Sequence, residues 1–233
     1  MNYDRKYLET SSAGYRKRRV LPDILIYCGG AVFLIILVLV ASGRLQPFDQ
    51  FWLERWKGSE SAFITDWLRR ITSLGSFPGM AGVTAGGAFL LFCLRRFRSG
   101  VWLAFIVLSA WASSESLKWL LHRPRPSLPW WGEASGYSFP SGHALLTGTL
   151  YWCLAFLIFT QMRRRWSRVI VLLLFLIPLV TGFSRIWLGV HYPSDVLAGW
   201  SLAAVWTGVA MRTAGAGHAQ TRPRSIGYSG KLR

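Results

Sequence analysis

Six ionisable side chains stand in three short clusters of this 233-residue chain, close to the ends of apolar runs. They are Lys118, Arg125, His143, Arg185, His191 and Asp195. Ionisable groups at the edge of a bilayer are costly unless they pair or react. A set of two histidines, three cations and one carboxylate therefore predicts a functional site.

The cations indicate a site for phosphate. Lys118, Arg125 and Arg185 supply up to three positive charges, which suit the charge of a phosphate and of its transition state. The sequence Pro-Ser-Gly-His at 140–143 predicts a helix start, where backbone N–H groups point outward at an anion. Gly142 would let that anion approach closely because glycine has no side chain.

The two histidines have different neighbours, which predicts two roles. His191 and Asp195 are four residues apart, and Pro193 suits the first turn of a helix. The carboxylate can then reach back to one ring nitrogen of His191, fix its tautomer and leave the other nitrogen as a nucleophile. His143 lies in a different segment and is free to protonate the departing alkoxide.

A metal site is the main competing interpretation of these residues. His143, His191 and Asp195 could form a triad of two histidines and one carboxylate. Three cations beside the triad would repel a divalent metal. The sequence therefore favours a reaction that uses neither a metal nor another cofactor.

Membrane helices are the elements that must position this site. The chain is 52% hydrophobic and contains 13 Trp, yet it carries a formal net charge of +17. Apolar runs of about 20 residues have the length that spans a bilayer. Because the basic clusters fall in the gaps between these runs, they indicate membrane topology and not the nucleic-acid binding that basic charge often accompanies.

The pattern predicts an all-α fold, a polytopic membrane bundle with about six transmembrane helices. The expected spans are 22–42, 77–94, 101–121, 143–160, 168–187 and 194–211. Residues 48–74 mix aromatic and charged residues at helical spacing, which predicts one or two helices in the membrane interface. The membrane domain is expected to cover 22–212, between basic tails at 1–21 and 213–233, the second of them disordered.

The basic residues predict the orientation of the chain. Those at 16–19, at 95–98, at 163–168 and in the C-terminal tail fall on one side of a six-span chain, which is the cytoplasmic side. Both termini are therefore expected in the cytoplasm, and the three clusters at the outer face of a bacterial plasma membrane. We expect no removable signal peptide and no obligate protein partner.

The three clusters resemble the signature of the type 2 phosphatidic acid phosphatase (PAP2) superfamily. That signature reads Lys, six residues, Arg-Pro; then Pro-Ser-Gly-His; then Ser-Arg, five residues, His, three residues, Asp. Every position is matched, by Lys118, Arg125 and Pro126, by residues 140–143, and by Ser184, Arg185, His191 and Asp195. The motifs cover about residues 118–195 of the chain.

The resemblance implies a metal-independent phosphatase. In such an enzyme His191 attacks phosphorus to form a phosphohistidine, Asp195 orients it, and His143 protonates the leaving group. The residues that bind the phosphoryl oxygens would be Lys118, Arg125, Ser141, Gly142 and Arg185.

Two nearby residues lie outside the signature. Glu115 precedes Lys118 by three residues and is expected to pair with Lys118 or another cation. Arg123 is expected either to add affinity for phosphate or to contact lipid head groups, and the sequence leaves both open.

A lipid phosphate or diphosphate is the expected substrate. The superfamily also contains soluble vanadate-dependent haloperoxidases, but a pocket at the outer edge of a membrane bundle favours a lipid. The candidates are phosphatidic acid, phosphatidylglycerophosphate, a polyprenyl diphosphate and lipid A. Two alternatives remain, namely a lipid phosphotransferase with the same site and a non-enzymatic lipid-binding or transport protein.

Overall fold

The computed structural model describes residues 3–56, 61–127, 134–161 and 165–219. Within these ranges it contains eight α-helices, one 3₁₀ turn at Ser73–Gly75 and no strand, so the predicted all-α fold is confirmed. The helices are α1 Tyr3–Ala41, α2 Gln46–Trp56, α3 Ala62–Thr72, α4 Phe77–Cys93, α5 Phe97–Leu121, α6 Gly142–Gln161, α7 Arg165–Trp187 and α8 Pro193–Ala219.

In the part of the chain that the structure describes, four helix segments are long and apolar enough to cross a membrane. They are Val20–Ala41, Phe97–Leu121, Gly142–Thr160 and Trp166–Trp187. The apolar part of α4, Pro78–Cys93, is shorter than these four, and α8 is not among them. Six spans therefore remain a prediction, of which four are supported by length and composition.

The two terminal helices extend beyond the predicted spans. Helix α1 begins at Tyr3 and contains Pro22, and α8 continues to Ala219. Residues 220–233 of the predicted disordered tail lie outside the described residues, as do 162–164 of the basic turn between α6 and α7.

Helix α6 lies at the centre of the bundle, where it packs against α5, α7 and α8. Its apolar face is buried at Leu145 and Leu150, neither of which has any exposed surface. Gly199 lets the beginning of α8 approach that of α6, because a Cβ at this glycine would lie 2.8 Å from the carbonyl oxygen of Ser141. This approach joins two of the three sequence clusters.

Helices α2 and α3 correspond to the predicted interfacial segment. Helix α3 is amphipathic, with Leu68 buried and Phe63 exposed. Its Thr65 hydroxyl accepts a hydrogen bond from Nε1 of Trp187, at 3.2 Å, which fixes α3 against the end of α7. Helix α2 buries Asp49 and Leu53, and it packs against α8.

Polar contacts join α1, α5 and α8 at the end of the bundle where α5 begins and α8 ends. Arg212 of α8 lies 3.1 Å from the Asp23 carboxylate of α1. Nε1 of Trp102 in α5 donates to the Thr213 hydroxyl of α8, at 2.9 Å. These contacts place the N-terminal half of α5 beside the C-terminal half of α8, and the basic turn at 95–98 adjoins this end.

Candidate active site

The three sequence clusters meet at one end of the bundle. The backbone N–H of Ser141 donates to the carbonyl oxygen of Asp195 at 3.0 Å, so the starts of α6 and α8 touch. Nη1 of Arg125, from the connection between α5 and α6, lies 3.1 Å from Nε2 of His191. Residues separated by up to 77 positions in the chain, from Lys118 to Asp195, therefore surround one space.

The ring nitrogens of His191 have different surroundings, as the sequence predicts. His191 is 2% exposed and lies in the turn between α7 and α8. Its Nδ1 lies 3.4 Å from the Ser138 hydroxyl and 3.6 Å from Oδ2 of Asp195. Its Nε2 faces the Arg125 guanidinium, which can only donate. This network assigns the proton to Nδ1 and leaves the lone pair on Nε2.

Asp195 is held by hydrogen-bond donors on both of its oxygens. Oδ2 accepts from the Ser138 hydroxyl at 2.5 Å and from the backbone N–H of Tyr192 at 2.9 Å. Oδ1 accepts from Arg123 at 2.6 Å. The carboxylate is fully buried. Its approach to His191 matches the prediction, although 3.6 Å is longer than a hydrogen bond and the nearer partners fix its position.

Burial keeps the His191 imidazole neutral. It lowers the pKa of His191 from its ordinary 6.5 to about 4, because the charged form loses its hydration. Asp195 opposes this shift, whereas Arg125 and Arg185 add to it by repulsion. At neutral pH the ring is therefore uncharged, and its Nε2 lone pair faces the Arg125 guanidinium.

Gly142 opens a small space beside the lysine of the first cluster. A Cβ at Gly142 would lie 3.6 Å from the Ser114 hydroxyl and 3.7 Å from Nζ of Lys118. The hydroxyls of Ser114 and Ser141 are buried and have no hydrogen-bond partner among the described residues. The first N–H groups of α6 also lack partners within their helix. Together these donors suit an anion next to Lys118.

The Lys118 ammonium also makes the ion pair that the sequence predicts. It lies 2.7 Å from the Glu115 carboxylate, one turn earlier in α5. An ammonium has three donors, so the pair leaves Lys118 able to contact a further anion.

Arg125 is fixed by backbone carbonyls. Its Nε donates to Gly136 at 3.0 Å, its Nη2 to Ser135 at 2.8 Å and its Nη1 to Val190 at 2.8 Å. Burial lowers the pKa of Arg125, and Asp195 opposes the shift, but a guanidinium stays charged at neutral pH. Its positive charge is thus held still beside His191.

Arg185 reaches the same space from the last turn of α7. Its side chain is buried, and its Nη1 donates to the Thr72 hydroxyl of α3 at 3.4 Å. The interfacial helix therefore contributes to holding a cation that the sequence assigns to the site.

His143 faces this space from the first turn of α6. It lies within electrostatic reach of Arg185, His191, Lys118 and Arg125. The 3₁₀ turn packs against its ring, since a Cβ at Gly75 would lie 2.8 Å from Cδ2 of His143. All six predicted ionisable residues therefore converge.

Arg123 makes two ion pairs that the sequence analysis did not predict. Its Nη1 and Nη2 donate to the carboxylates of Asp195 and Asp49, both at 2.6 Å. Burial alone lowers the pKa of Arg123, but these two carboxylates raise it beyond its ordinary value. Arg123 therefore links the carboxylate beside His191 to α2, and the two tasks expected from the sequence stay predictions.

Three polar residues at the site were missed by the sequence interpretation, namely Asp49, Ser138 and Ser194. Asp49 lies in the segment 48–74, which was predicted only to form helices in the membrane interface. A signal was available, because Asp49 shares one face of α2 with the buried Leu53, four residues later. An acidic residue on the packed face of a helix needs a cationic partner.

The described part of the chain contains no group of three or more His, Cys, Asp and Glu side chains arranged to hold a metal ion. His143, His191 and Asp195 therefore do not form the metal triad that competed with the phosphate interpretation. A metal-independent reaction stays a prediction.

Comparison with known proteins gives relatives for most of the chain. The model of the PAP2 superfamily matches residues 99–217. Phosphatidylglycerophosphatase B of Bacillus subtilis is 24% identical over 176 residues, which cover 73% of this chain and 85% of that protein. Glucose-6-phosphatase 3 of Rattus norvegicus is 34% identical over 122 residues, which cover 42% of this chain and 34% of that protein.

A solved structure shares the fold. The crystal structure of a transmembrane PAP2-type phosphatidylglycerolphosphate phosphatase from Bacillus subtilis superposes with a TM-score of 0.76 at 22% identity. The superposition covers 88% of this chain and 99% of that one. The helical arrangement described above is therefore that of a membrane PAP2 enzyme.

Proposed function

The chain belongs to the PAP2 superfamily and is a phosphatase, and from this premise we propose that it hydrolyses the phosphate or diphosphate ester of a membrane lipid. One observation carries the proposal. The neutral Nε2 of His191 lies beside a fixed guanidinium, in the space that three cations and the first turn of α6 surround. Such a space suits phosphoryl transfer, in which positioning and charge stabilisation supply most of the catalysis.

The reaction runs in two displacements. In the first, the Nε2 lone pair of His191 attacks phosphorus, the bond from phosphorus to the lipid oxygen breaks, and protonated His143 gives its proton to that oxygen. In the second, water attacks the phosphohistidine, neutral His143 takes the water proton, and the P–N bond breaks to release phosphate. His191 and His143 end in their starting states.

The cations and hydrogen-bond donors around this space bind the phosphate that His191 attacks. Lys118, Arg125 and Arg185 bind the phosphoryl oxygens and stabilise the charge that spreads over them in the transition state. Ser141 and Gly142 add donors at the first turn of α6. Asp195 keeps the Nδ1 proton of His191 in place through the transfer.

A lipid is preferred to a water-soluble ester because of what surrounds the site. Trp119 and Leu120, directly after Lys118, are 68% and 75% exposed. Large apolar side chains at the end of a membrane helix lie against lipid. A head group can then enter the site while its tails stay in the bilayer. The candidate substrates are phosphatidylglycerophosphate, phosphatidic acid, a polyprenyl diphosphate and lipid A.

The site is proposed to face the outside of a bacterial plasma membrane, with both termini in the cytoplasm. The basic turn at 95–98 supports this orientation, because it adjoins the end of the bundle opposite the site and Lys and Arg favour the cytoplasmic side. In a chain without its native cysteines, an impermeant maleimide should label a Ser42→Cys variant in intact cells. Labelling only after lysis would show that the site faces the cytoplasm instead.

The substrate class is tested by phosphate release from a panel of esters. Purified protein in detergent with a chelator is given the four candidate lipids and glucose 6-phosphate as the soluble ester. Turnover of at least one lipid well above that of the sugar phosphate supports the proposal, whereas turnover of the sugar phosphate alone contradicts it. Transfer of labelled phosphate to an acceptor lipid would identify a phosphotransferase, and binding without turnover a lipid-binding protein.

The pH profile should reflect the buried state of His191. A group with a lowered pKa stays neutral to lower pH, so the nucleophile is lost only as the pH falls through about 4. We expect the acid limb of kcat/KM to lie well below pH 6.5, the ordinary histidine value. Two lipid substrates with different phosphate pKa values provide the control, because a limb that moves with the substrate belongs to the substrate.

Replacing Gly142 by alanine should weaken phosphate binding without unfolding the protein. The added Cβ makes only ordinary contacts, at 3.6 and 3.7 Å, but it occupies the space beside Lys118. We expect the inhibition constant of inorganic phosphate to rise about tenfold, equivalent to about 1.4 kcal/mol. Gly86→Ala is the control, since nothing lies within 4 Å of its Cβ. Equal inhibition of both variants would place the phosphate elsewhere.

A further inference from the structure

Asp49 is a fully buried carboxylate that no motif of the chain contains. It lies in α2, and 145 residues separate it from Ser194, its partner in α8. Oδ1 of Asp49 accepts from the backbone N–H of Ser194 at 3.0 Å, and Oδ2 accepts from the Ser194 hydroxyl at 2.6 Å. Because a buried charge is costly unless it is paired, so complete a set of partners indicates a specific task.

Arg123 connects Asp49 to the carboxylate beside His191. One guanidinium nitrogen, Nη2, donates to Asp49, and the other, Nη1, donates to Asp195 and to the Ser194 hydroxyl. The planar fork of an arginine can hold two carboxylates at once in a fixed geometry, which a lysine cannot do. The Tyr192 ring covers this guanidinium, 4.2 Å from its carbon.

We propose that Asp49 is a positioning residue for phosphoryl transfer, which it serves by holding Arg123 and the first turn of α8 so that Asp195 stays directed at His191. The inference rests on the proposed function. Asp49 contacts neither His191 nor the space beside Gly142 and Lys118 that is proposed to hold phosphate. It acts through Arg123 on Oδ1 of Asp195, while Oδ2 remains with Ser138 and the Nδ1 side of His191.

The charges of the network give Asp49 a second effect. Two carboxylates and one guanidinium leave one net negative charge next to His191, which gains positive charge as it attacks phosphorus. Without the Asp49 carboxylate, Arg123 neutralises Asp195 more completely and that charge falls to zero. Among the residues that the structure describes, the other charged or titratable groups that face His191 are Arg125 from the α5–α6 connection, Arg185 from α7 and His143 from α6.

The test is Asp49→Asn, which keeps the size of the side chain and removes its charge. We expect kcat for a lipid phosphate to fall about 10- to 100-fold, by analogy with the loss when a residue that orients a metal-binding histidine is replaced. KM and inhibition by inorganic phosphate should stay near the parental values, because the phosphate contacts are untouched. The acid limb should also move to lower pH, since loss of a nearby negative charge lowers the pKa of His191.

The matched control is Asp66→Asn, which removes a carboxylate from the same predicted interfacial segment, residues 48–74. Asp66 pairs with Arg70 at 3.3 Å on the exposed surface, so its loss should leave kcat and the acid limb unchanged. An Asp49→Asn protein with parental kcat would overturn the inference. A second result would also overturn it, namely a fall in kcat with an unmoved acid limb and an equal loss of inhibition by phosphate. That combination would indicate a general distortion of the site.

Two further measurements test the same inference without relying on kcat of the Asp49→Asn protein. If Asp49→Asn does not fold, Arg123→Lys removes the fork and should lower kcat in the same way, and parental kcat there would refute the bridge. NMR of ¹⁵N-histidine-labelled protein follows the pKa of His191 without any substrate. An unmoved pKa in the folded Asp49→Asn protein therefore contradicts the positioning role, whereas a parent inactive on every lipid contradicts the proposed function.

Discussion

His191→Ala should reduce the rate of phosphate release from the preferred lipid by about 10⁵-fold or more, the largest effect expected of any single substitution. Removing a nucleophile leaves only the contributions of binding and charge stabilisation, and losses of about 10⁶-fold are known for catalytic residues of this kind. The effect should fall on kcat, because Lys118, Arg125 and Arg185 remain to bind phosphate. Phosphate release is measured at saturating lipid.

The covalent intermediate gives this prediction a second readout. Rapid quenching of the parent with ³²P-labelled lipid should trap label on the protein as an acid-labile phosphohistidine, and His191→Ala should trap none. His122→Asn is the matched control, because His122 is exposed at the end of α5 and asparagine tolerates its left-handed backbone. Full activity of His191→Ala, or label retained in it, would refute the nucleophile assignment.

Asp195→Asn should cost about 10⁴-fold in kcat and little in KM. Such a loss is known where an aspartate fixes the tautomer of a catalytic histidine. The surroundings make asparagine particularly unsuitable, since Ser138, Tyr192 and Arg123 all donate hydrogen bonds to the carboxylate. An amide NH₂ would face at least one of these donors without an acceptor.

The control for this variant is Asp23→Asn at the opposite end of the bundle. Asp23 pairs with Arg212 at 3.1 Å, far from the site, so activity should be unchanged. Inhibition by inorganic phosphate should be parental in Asp195→Asn, because none of the proposed phosphate contacts is removed. Losses of similar size in kcat and in phosphate affinity would instead indicate collapse of the whole site.

The sequence was sufficient where the constraint is local. Pro193 and the Pro-Ser-Gly-His turn predicted helix starts, and α8 begins at Pro193 and α6 at Gly142. The i,i+3 spacing predicted the pair of Glu115 with Lys118. The length of the apolar runs predicted an all-α fold, because the bilayer demands helices of that length.

The sequence was insufficient where partners come from distant segments. Arg123 lies two residues before a predicted phosphate ligand, so its position along the chain suggested the same task. Its two partners, Asp49 and Asp195, are 74 and 72 residues away, and no periodicity relates such positions. Likewise Ser138 donates to Asp195 from 57 positions away, and Gly199 lets the first turns of α6 and α8 come into contact nearby.

By itself, the sequence determined which groups have the chemistry for a phosphate, on which helix ends they stand, and that these helices belong to a membrane bundle. Those properties follow from residue type and from spacing within one turn of a helix. The tertiary structure decided which partner each charged side chain contacts. Arg125 lies beside His191, whereas Arg123 holds the carboxylate behind it, because a guanidinium buried between Asp49 and Asp195 is stable only with both of them paired.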